Sequence, residues 1–250
     1  MPQLDVMFTC GDAGQDVVMD GTKYSPTMCY RIALEQSILV LEAYYSLARQ
    51  LRGGLVYHGL TRIECLARAV ELGSKIVAAW YHLGHSLGPG TVVISGTSYT
   101  QLECYFKFVA MDPAISVAWD RLGEALGPGN IATVNGVEYT DQLCFITALR
   151  FNDKNGMAWF HLVGAAFSGT RAPAWAPVQE MVSVKGKTFS RLQCLIEAVT
   201  HSVNIGRAWR LIAESMDQHE TILIEGKELT RETIFLKAVE LEDPLWRHVN

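Results

Sequence analysis

One hydroxyl residue recurs six times along this chain, at Ser25, Thr61, Thr100, Thr140, Ser190 and Thr230, and it brings its neighbours with it. The spacings are 36, 39, 40, 50 and 40 residues. Four residues after each copy stand Cys29, Cys65, Cys104, Cys144, Cys194 and Ile234. Eight residues after it stand Ala33, Ala69, Phe108, Ala148, Ala198 and Ala238. Nineteen residues after the first five stand Tyr44, Trp80, Trp119, Trp159 and Trp209, and three further on Leu47, Leu83, Leu122, Leu162 and Ile212. So many uncommon residues in register make an internal repeat. A repeat of this length is one small supersecondary unit that buries its apolar face only by stacking on its neighbours.

Each unit reads as two helices and an extended excursion. In the helix after the anchor, here helix B, the apolar residues Cys104, Tyr105, Phe108 and Val109 form one stripe at a period near 3.6. The anchor is its N-cap, whose hydroxyl accepts from a first-turn N–H that has no partner within the helix. Thr61 with Glu64, Thr100 with Glu103 and Ser190 with Gln193 are capping boxes. Ser25 precedes Pro26, which suits the first helical position, and Thr140 and Thr230 are caps without the box. The helix that carries Trp, here helix A, reads Trp-x-x-Leu-Gly-x-x-Leu at Trp80–Leu87 and at Trp119–Leu126. Its small fifth residue admits a close neighbour. Gly88-Pro89-Gly90 and Gly127-Pro128-Gly129 then end it.

Between helices A and B lie β-branched runs around a Gly: Val92–Tyr99, Thr133–Tyr139, Val182–Phe189, Ile222–Leu229 and an early Val17–Tyr24, with a shorter version at Gly53–Leu60. Asn-Gly or Asp-Gly within such a run predicts a two-stranded hairpin. Two strands advance about 9.6 Å and packed helices about 8–10 Å, so successive arms are expected to join into one narrow antiparallel sheet.

These features resemble the tetratricopeptide repeat family. The resemblance rests on the two Trp-x-x-Leu-Gly-x-x-Leu stretches, the small residue in helix B and the Asp112-Pro113 boundary. It covers residues 39 to 243 as five A–B pairs, with an unpaired B helix over 26–36. It departs from the family in length, since most units here run 39 or 40 residues. The resemblance implies a mainly α fold, a right-handed α-solenoid of helix pairs with short hairpins between the helices of each repeat. Residues 1–25 then form an incomplete leading unit, and 26–250 a single array with an insertion loop over 169–181 that holds Pro173, Trp175 and Pro177. The resemblance also implies that helix A supplies a concave binding face. The residue after Trp gives Tyr81, Asp120, Phe160 and Arg210. The fifth after it gives His85, Glu124, Gly164 and Glu214, and the second before it Ala78, Val117, Met157 and Arg207. The Lys and Asn pattern with which some members of the family clamp a terminal carboxylate is absent, which argues against an acidic C-terminal tail as ligand.

Composition narrows the function. With 26 acidic against 21 basic residues and a net charge of -5, the 250-residue chain suits neither nucleic acid nor a basic membrane patch. Hydrophobic residues at 49% exclude disorder, and six Cys are too dilute for a disulfide scaffold. The most apolar stretch, 38–48, is broken by Glu42, and no basic leader precedes an apolar run, so a cytoplasmic protein with reduced thiols is expected. The five Cys of the repeat read as one small apolar slot, because no C-x-x-C pair occurs. His82, His85 and His161 read as groove lining, since no third ligand completes a metal site. No nucleophile, phosphate or metal-hydrolase motif is present. The expectation is a non-enzymatic scaffold without cofactor or metal. It binds a protein or peptide through Tyr81, His85, Asp120, Glu124, Phe160, Arg207, Arg210 and Glu214. The alternative is a structural protein that self-associates by stacking uncapped repeat ends.

Overall fold

A computed structural model of the chain describes residues 16–19, 22–25, 28–29, 32, 41–51, 59–73, 76–167 and 181–242. Residue contacts divide the chain into two compact units, Met1–Met111 and Asp112–Asn250. The first holds β1 (Val17–Met19), β2 (Thr22–Tyr24), α1 (Leu41–Gln50), α2 (Arg62–Leu72), α3 (Val77–Leu87), β3 (Thr91–Ile94), β4 (Thr97–Thr100) and α4 (Gln101–Met111). The second holds α5 (Ser116–Leu126), β5 (Ile131–Val134), β6 (Val137–Thr140), α6 (Asp141–Phe151), α7 (Gly156–Phe167), β7 (Met181–Val184), β8 (Lys187–Ser190), α8 (Arg191–His201), α9 (Gly206–Glu214), β9 (Thr221–Ile224), β10 (Lys227–Thr230) and α10 (Arg231–Glu242). The fold is mainly helical, with short antiparallel hairpins. No described helix is long and apolar enough to cross a membrane. Residues 53–58 of the expected hairpin at Gly53–Leu60, most of the 26–36 helix, Cys10 and the 169–181 insertion up to residue 180 lie outside the described residues.

The caps predicted from the anchors are all made. Ser25, Thr61, Thr100, Thr140, Ser190 and Thr230 each accept a hydrogen bond from the backbone N–H three residues on. In the three boxes the Glu64, Glu103 and Gln193 side chains return to the cap N–H at 2.7 to 2.8 Å. Each such cap stabilises its helix by about 1 kcal/mol.

Consecutive helices pair as the repeat demands. In the first unit α1 packs on α2 and α3 on α4; in the second α5 packs on α6, α7 on α8 and α9 on α10. The Cys slot is the centre of each pair: Cys65, Cys104, Cys144 and Cys194 are fully buried beside Leu66, Tyr105, Phe145 and Leu195. The small fifth residue of helix A is what permits this approach. A Cβ on Gly123 would stand 2.8 Å from Phe145 Cε1 and 2.9 Å from Cys144 Cβ, and one on Gly84 would stand 2.9 Å from the Tyr105 ring.

The Trp slot joins helix to hairpin. Trp80 meets Tyr99 at 5.1 Å between ring centroids, Trp119 meets Tyr139 at 4.6 Å and Trp159 meets Phe189 at 4.7 Å. The indole N–H of Trp119, Trp159 and Trp209 each donates to a carbonyl six residues earlier, at Pro113, Asp153 and Val203. That bond satisfies the polar end of an otherwise apolar, buried side chain. Four of the hairpins close through two-residue turns whose central residues both have positive φ, as at Asn135 (50°) and Gly136 (79°). This is the turn whose twist matches the strands.

The expected continuous sheet is not formed. Among the described residues every strand pairs only within its own hairpin, giving five separate two-stranded sheets. The inward faces of the arms are already used: β3 lies on α2 and β7 on α6, with Ile94, Val182 and Val184 buried. The turns are tied down as well. The Ser95 N–H donates to Glu71 of α2 at 3.0 Å, and Lys185 Nζ lies 3.2 Å from Asp153 beyond the end of α6. In these two hairpins the arm lies along the preceding helix B.

Candidate functional site

The A helices of the second unit, with the starts of its B helices, surround a cavity of ≈ 500 Å³. Its floor and walls include Phe145, Phe160, Phe167 and Leu211, and its polar lining includes Glu124, Asp141, His161, Arg191 and Arg207. Three of the residues predicted from helix A therefore meet here: Glu124 from α5, Phe160 from α7 and Arg207 from α9. Gly164 explains the space. It is the fifth residue after Trp in α7, where the other units carry His85, Glu124 and Glu214, and a Cβ there would meet nothing within 4 Å.

Asp120 was expected on the open face and is buried at 1% exposure. Its position after Trp119 sits in the seam where α5 meets α7, and not on a free surface. There Asp120 Oδ1 lies 2.8 Å from His161 Nδ1, and Oδ2 lies 4.0 Å from Arg121 Nε. With Nδ1 engaged, Nε2 is the one ring nitrogen left for a ligand. Asp120 thus serves the cavity through His161.

The charges of the cavity are unevenly matched. Glu124 is paired with Arg121 at 2.5 Å, Asp120 with His161, and Asp141 accepts from the Gln142 N–H at 2.8 Å. Arg191 and Arg207 are exposed and form no ion pair with a described carboxylate. Two guanidinium groups with no ion-pair partner among the described residues therefore line the same cavity as three Phe rings.

The remaining predicted residues lie elsewhere. Arg210 is tied to Glu242 of α10 by an ion pair, and Glu214 is exposed at the end of α9. Neither lines the cavity. In the first unit Tyr81 is half-buried, with its ring 5.6 Å from Phe108 and 6.4 Å from Tyr105, and the exposed His85 stacks parallel to it at 6.2 Å. Tyr81 is thus partly a packing residue between α3 and α4. His82 is held toward its neutral form by burial first, and then by Arg62, Arg49 and His85.

Arg191, Phe145 and Phe167 were missed from the sequence. Arg191 follows the Ser190 cap at the first position of helix B. In two other units the same position reaches back to helix A: Gln101 Nε2 donates to Gly84 O and Arg231 Nε to Ala213 O, each at 3.1 Å. A polar residue directly after every anchor but Ser25 was the available signal.

The thiols do not join this site. Burial pushes Cys65 up to about 11 and Cys104, Cys144 and Cys194 up to about 12, with a smaller contribution from a neighbouring carboxylate. Among the described residues no three His, Cys, Asp or Glu side chains are grouped to hold a metal ion. Comparison with known proteins finds no family model that matches this chain and no match among the curated proteins.

Proposed function

We propose that this protein is a tetratricopeptide-like interaction scaffold that binds a peptide segment of a protein partner in the cavity of its second unit. The partner segment carries an acidic group beside an apolar side chain. Arg191 and Arg207 take the carboxylate, Phe145, Phe160 and Phe167 take the apolar group, and His161 supplies a further polar contact. The observation that carries this reading is the pair of guanidinium groups, without carboxylate partners among the described residues, that line an aromatic cavity. Arg is suited to carboxylate recognition because its planar fork presents two parallel donors. The repeat, its caps and its A–B pairing support the scaffold reading, and stacked helix pairs commonly present such grooves. The absent Lys and Asn clamp argued against an acidic tail. Arg191 lies outside the positions that pattern occupies, so an acidic segment is readmitted by different residues.

Panning a random peptide display library on the full chain tests this. Selected peptides are expected to be enriched in Asp or Glu next to Leu, Ile or Phe, and to lose binding to the Arg191→Glu/Arg207→Glu variant. Enrichment of basic peptides, or binding indifferent to that variant, overturns the proposal.

A further inference from the structure

A second cavity, of ≈ 240 Å³, lies within the second unit where the β7–β8 hairpin meets the loop before α7 and the later turns of α8. Its apolar lining is Trp159, Val184 and Phe189. Both walls are held in place. In the loop, the Lys154 N–H donates to Asn152 Oδ1 at 3.1 Å, and the Asp153 carbonyl accepts from the Trp159 indole at 2.7 Å. In the hairpin, the Phe189 ring lies 4.7 Å from that of Trp159.

The cavity gathers cations. Lys154, Lys185, Lys187 and His201 line it against two carboxylates, Asp153 and Glu197. Lys185 Nζ lies 3.2 Å from Asp153, and His201 Nε2 lies 3.3 Å from Glu197. Lys154 and Lys187 are exposed and form no ion pair with a described carboxylate. The two cations left over belong to one unit alone. Counted from Trp, the place of Lys154 is taken by Lys75, Ala114 and Asn204 in other units. The places of Lys185 and Lys187, either side of the turn glycine, are taken by Ser95 and Thr97, Asn135 and Val137, and Glu225 and Lys227. None of those units puts more than one Lys at the three positions. What a repeat needs in order to fold recurs in each copy, so these cations are not there to fold the hairpin. Like charges brought together repel, and an anion between them removes that cost.

The charge and size of the cavity narrow the anion. Two unpaired ammonium groups match a dianion better than a single carboxylate. A phosphate monoester is a dianion above its second pKa of about 6, and Lys binds phosphate as a point charge. Pockets for drug-sized molecules start at about 300 Å³, so a smaller ligand fits here. We propose that this cavity binds a small phosphate monoester, with its phosphate on Lys154 and Lys187 and its organic group against Trp159, Val184 and Phe189. It shares no residue with the two-arginine cavity, so either site can fail without the other.

The test titrates phenyl phosphate into the full chain by calorimetry in a phosphate-free buffer. Saturable binding is expected. It should weaken roughly tenfold or more in Lys154→Gln/Lys187→Gln and persist in Lys154→Arg/Lys187→Arg. Both positions are exposed and unpaired, and unchanged circular dichroism checks that each variant folds. Benzoate, which has the same ring and one negative charge, should bind more weakly, and so should inorganic phosphate, which lacks the ring. The Arg191→Glu/Arg207→Glu variant should bind phenyl phosphate as the parent does. Absence of saturable binding, or equal binding by the Gln variant, overturns the proposal. Loss of binding in Arg191→Glu/Arg207→Glu would give the ligand to the other cavity, and equal affinity for inorganic phosphate would give the lysines to a free anion. Either result overturns the proposal.

Discussion

His161 Nδ1 lies 2.8 Å from Asp120 Oδ1, so a carboxylate buried between α5 and α7 fixes the ring that lines the cavity. Removing the carboxylate leaves that ring nitrogen without its partner. Asp120→Ala is therefore expected to cost about 1–3 kcal/mol in urea unfolding and to weaken peptide binding as well. Asp120→Asn keeps an acceptor at the same place and should cost less. Equal stability of all three proteins would show that the contact has no structural role.

The glycines of helix A separate packing from site. Gly123→Ala puts a methyl 2.8 Å from Phe145 Cε1 and should destabilise by about 1–3 kcal/mol. Gly164→Glu restores the residue found at Glu124 and Glu214, and its Cβ meets nothing within 4 Å. This variant should fold at least as stably as the parent and lose acidic-peptide binding, because it fills the cavity and supplies Arg191 and Arg207 with a carboxylate. Thermal melts and a binding titration on both variants check the contrast.

The repeat made the helices, the caps and the Trp and Cys slots legible before any coordinates. Side-chain chemistry fixes those features locally: a hydroxyl before an apolar stripe can hardly do anything but cap. The failures are all relations between elements. Asp120 has the same repeat position as Phe160 and Arg210, and only the α5–α7 seam decides that it is buried. The hairpins were legible, but not that Tyr99, Tyr139 and Phe189 would anchor them on Trp residues. The cavity depends on an absent side chain at Gly164 and on Arg191 in a different helix, and no motif within one unit records either.

Hairpin turns offer a stability test. Glu225 has φ 51°, a left-handed conformation that favours Gly and Asn over Glu. Glu225→Asn, which reproduces the Asn135-Gly136 turn, should raise stability by about 0.5–1 kcal/mol. Gly226→Ala, at φ 76°, should lower it by about 1–2 kcal/mol. Denaturant midpoints of the two variants should move in opposite directions.

The buried thiols predict a loss of stability at alkaline pH. An unfolded thiol ionises near about 8.5, whereas Cys104, Cys144 and Cys194 are held at about 12 and Cys65 at about 11. Between those values the unfolded chain releases protons that the folded chain keeps. Stability that is full below about pH 8.5 should then fall by about 1.4 kcal/mol per pH unit for each thiol as pH rises toward the folded values. Urea midpoints at about pH 7 and about pH 10 should differ less in Cys194→Ala than in the parent. The buried thiols of Cys65, Cys104, Cys144 and Cys194 should also resist iodoacetamide until the protein unfolds.

The most direct test of the account is a charge swap at the cavity. An acidic peptide selected on the parent is titrated by calorimetry against the parent and against Arg191→Glu/Arg207→Glu, and the same peptide with its acidic residues changed to Lys is titrated against both. The account predicts that reversal weakens the acidic peptide roughly tenfold or more, about 1.4 kcal/mol, and that the Lys peptide then prefers the reversed cavity. Affinity of the acidic peptide unchanged by the reversal would contradict it.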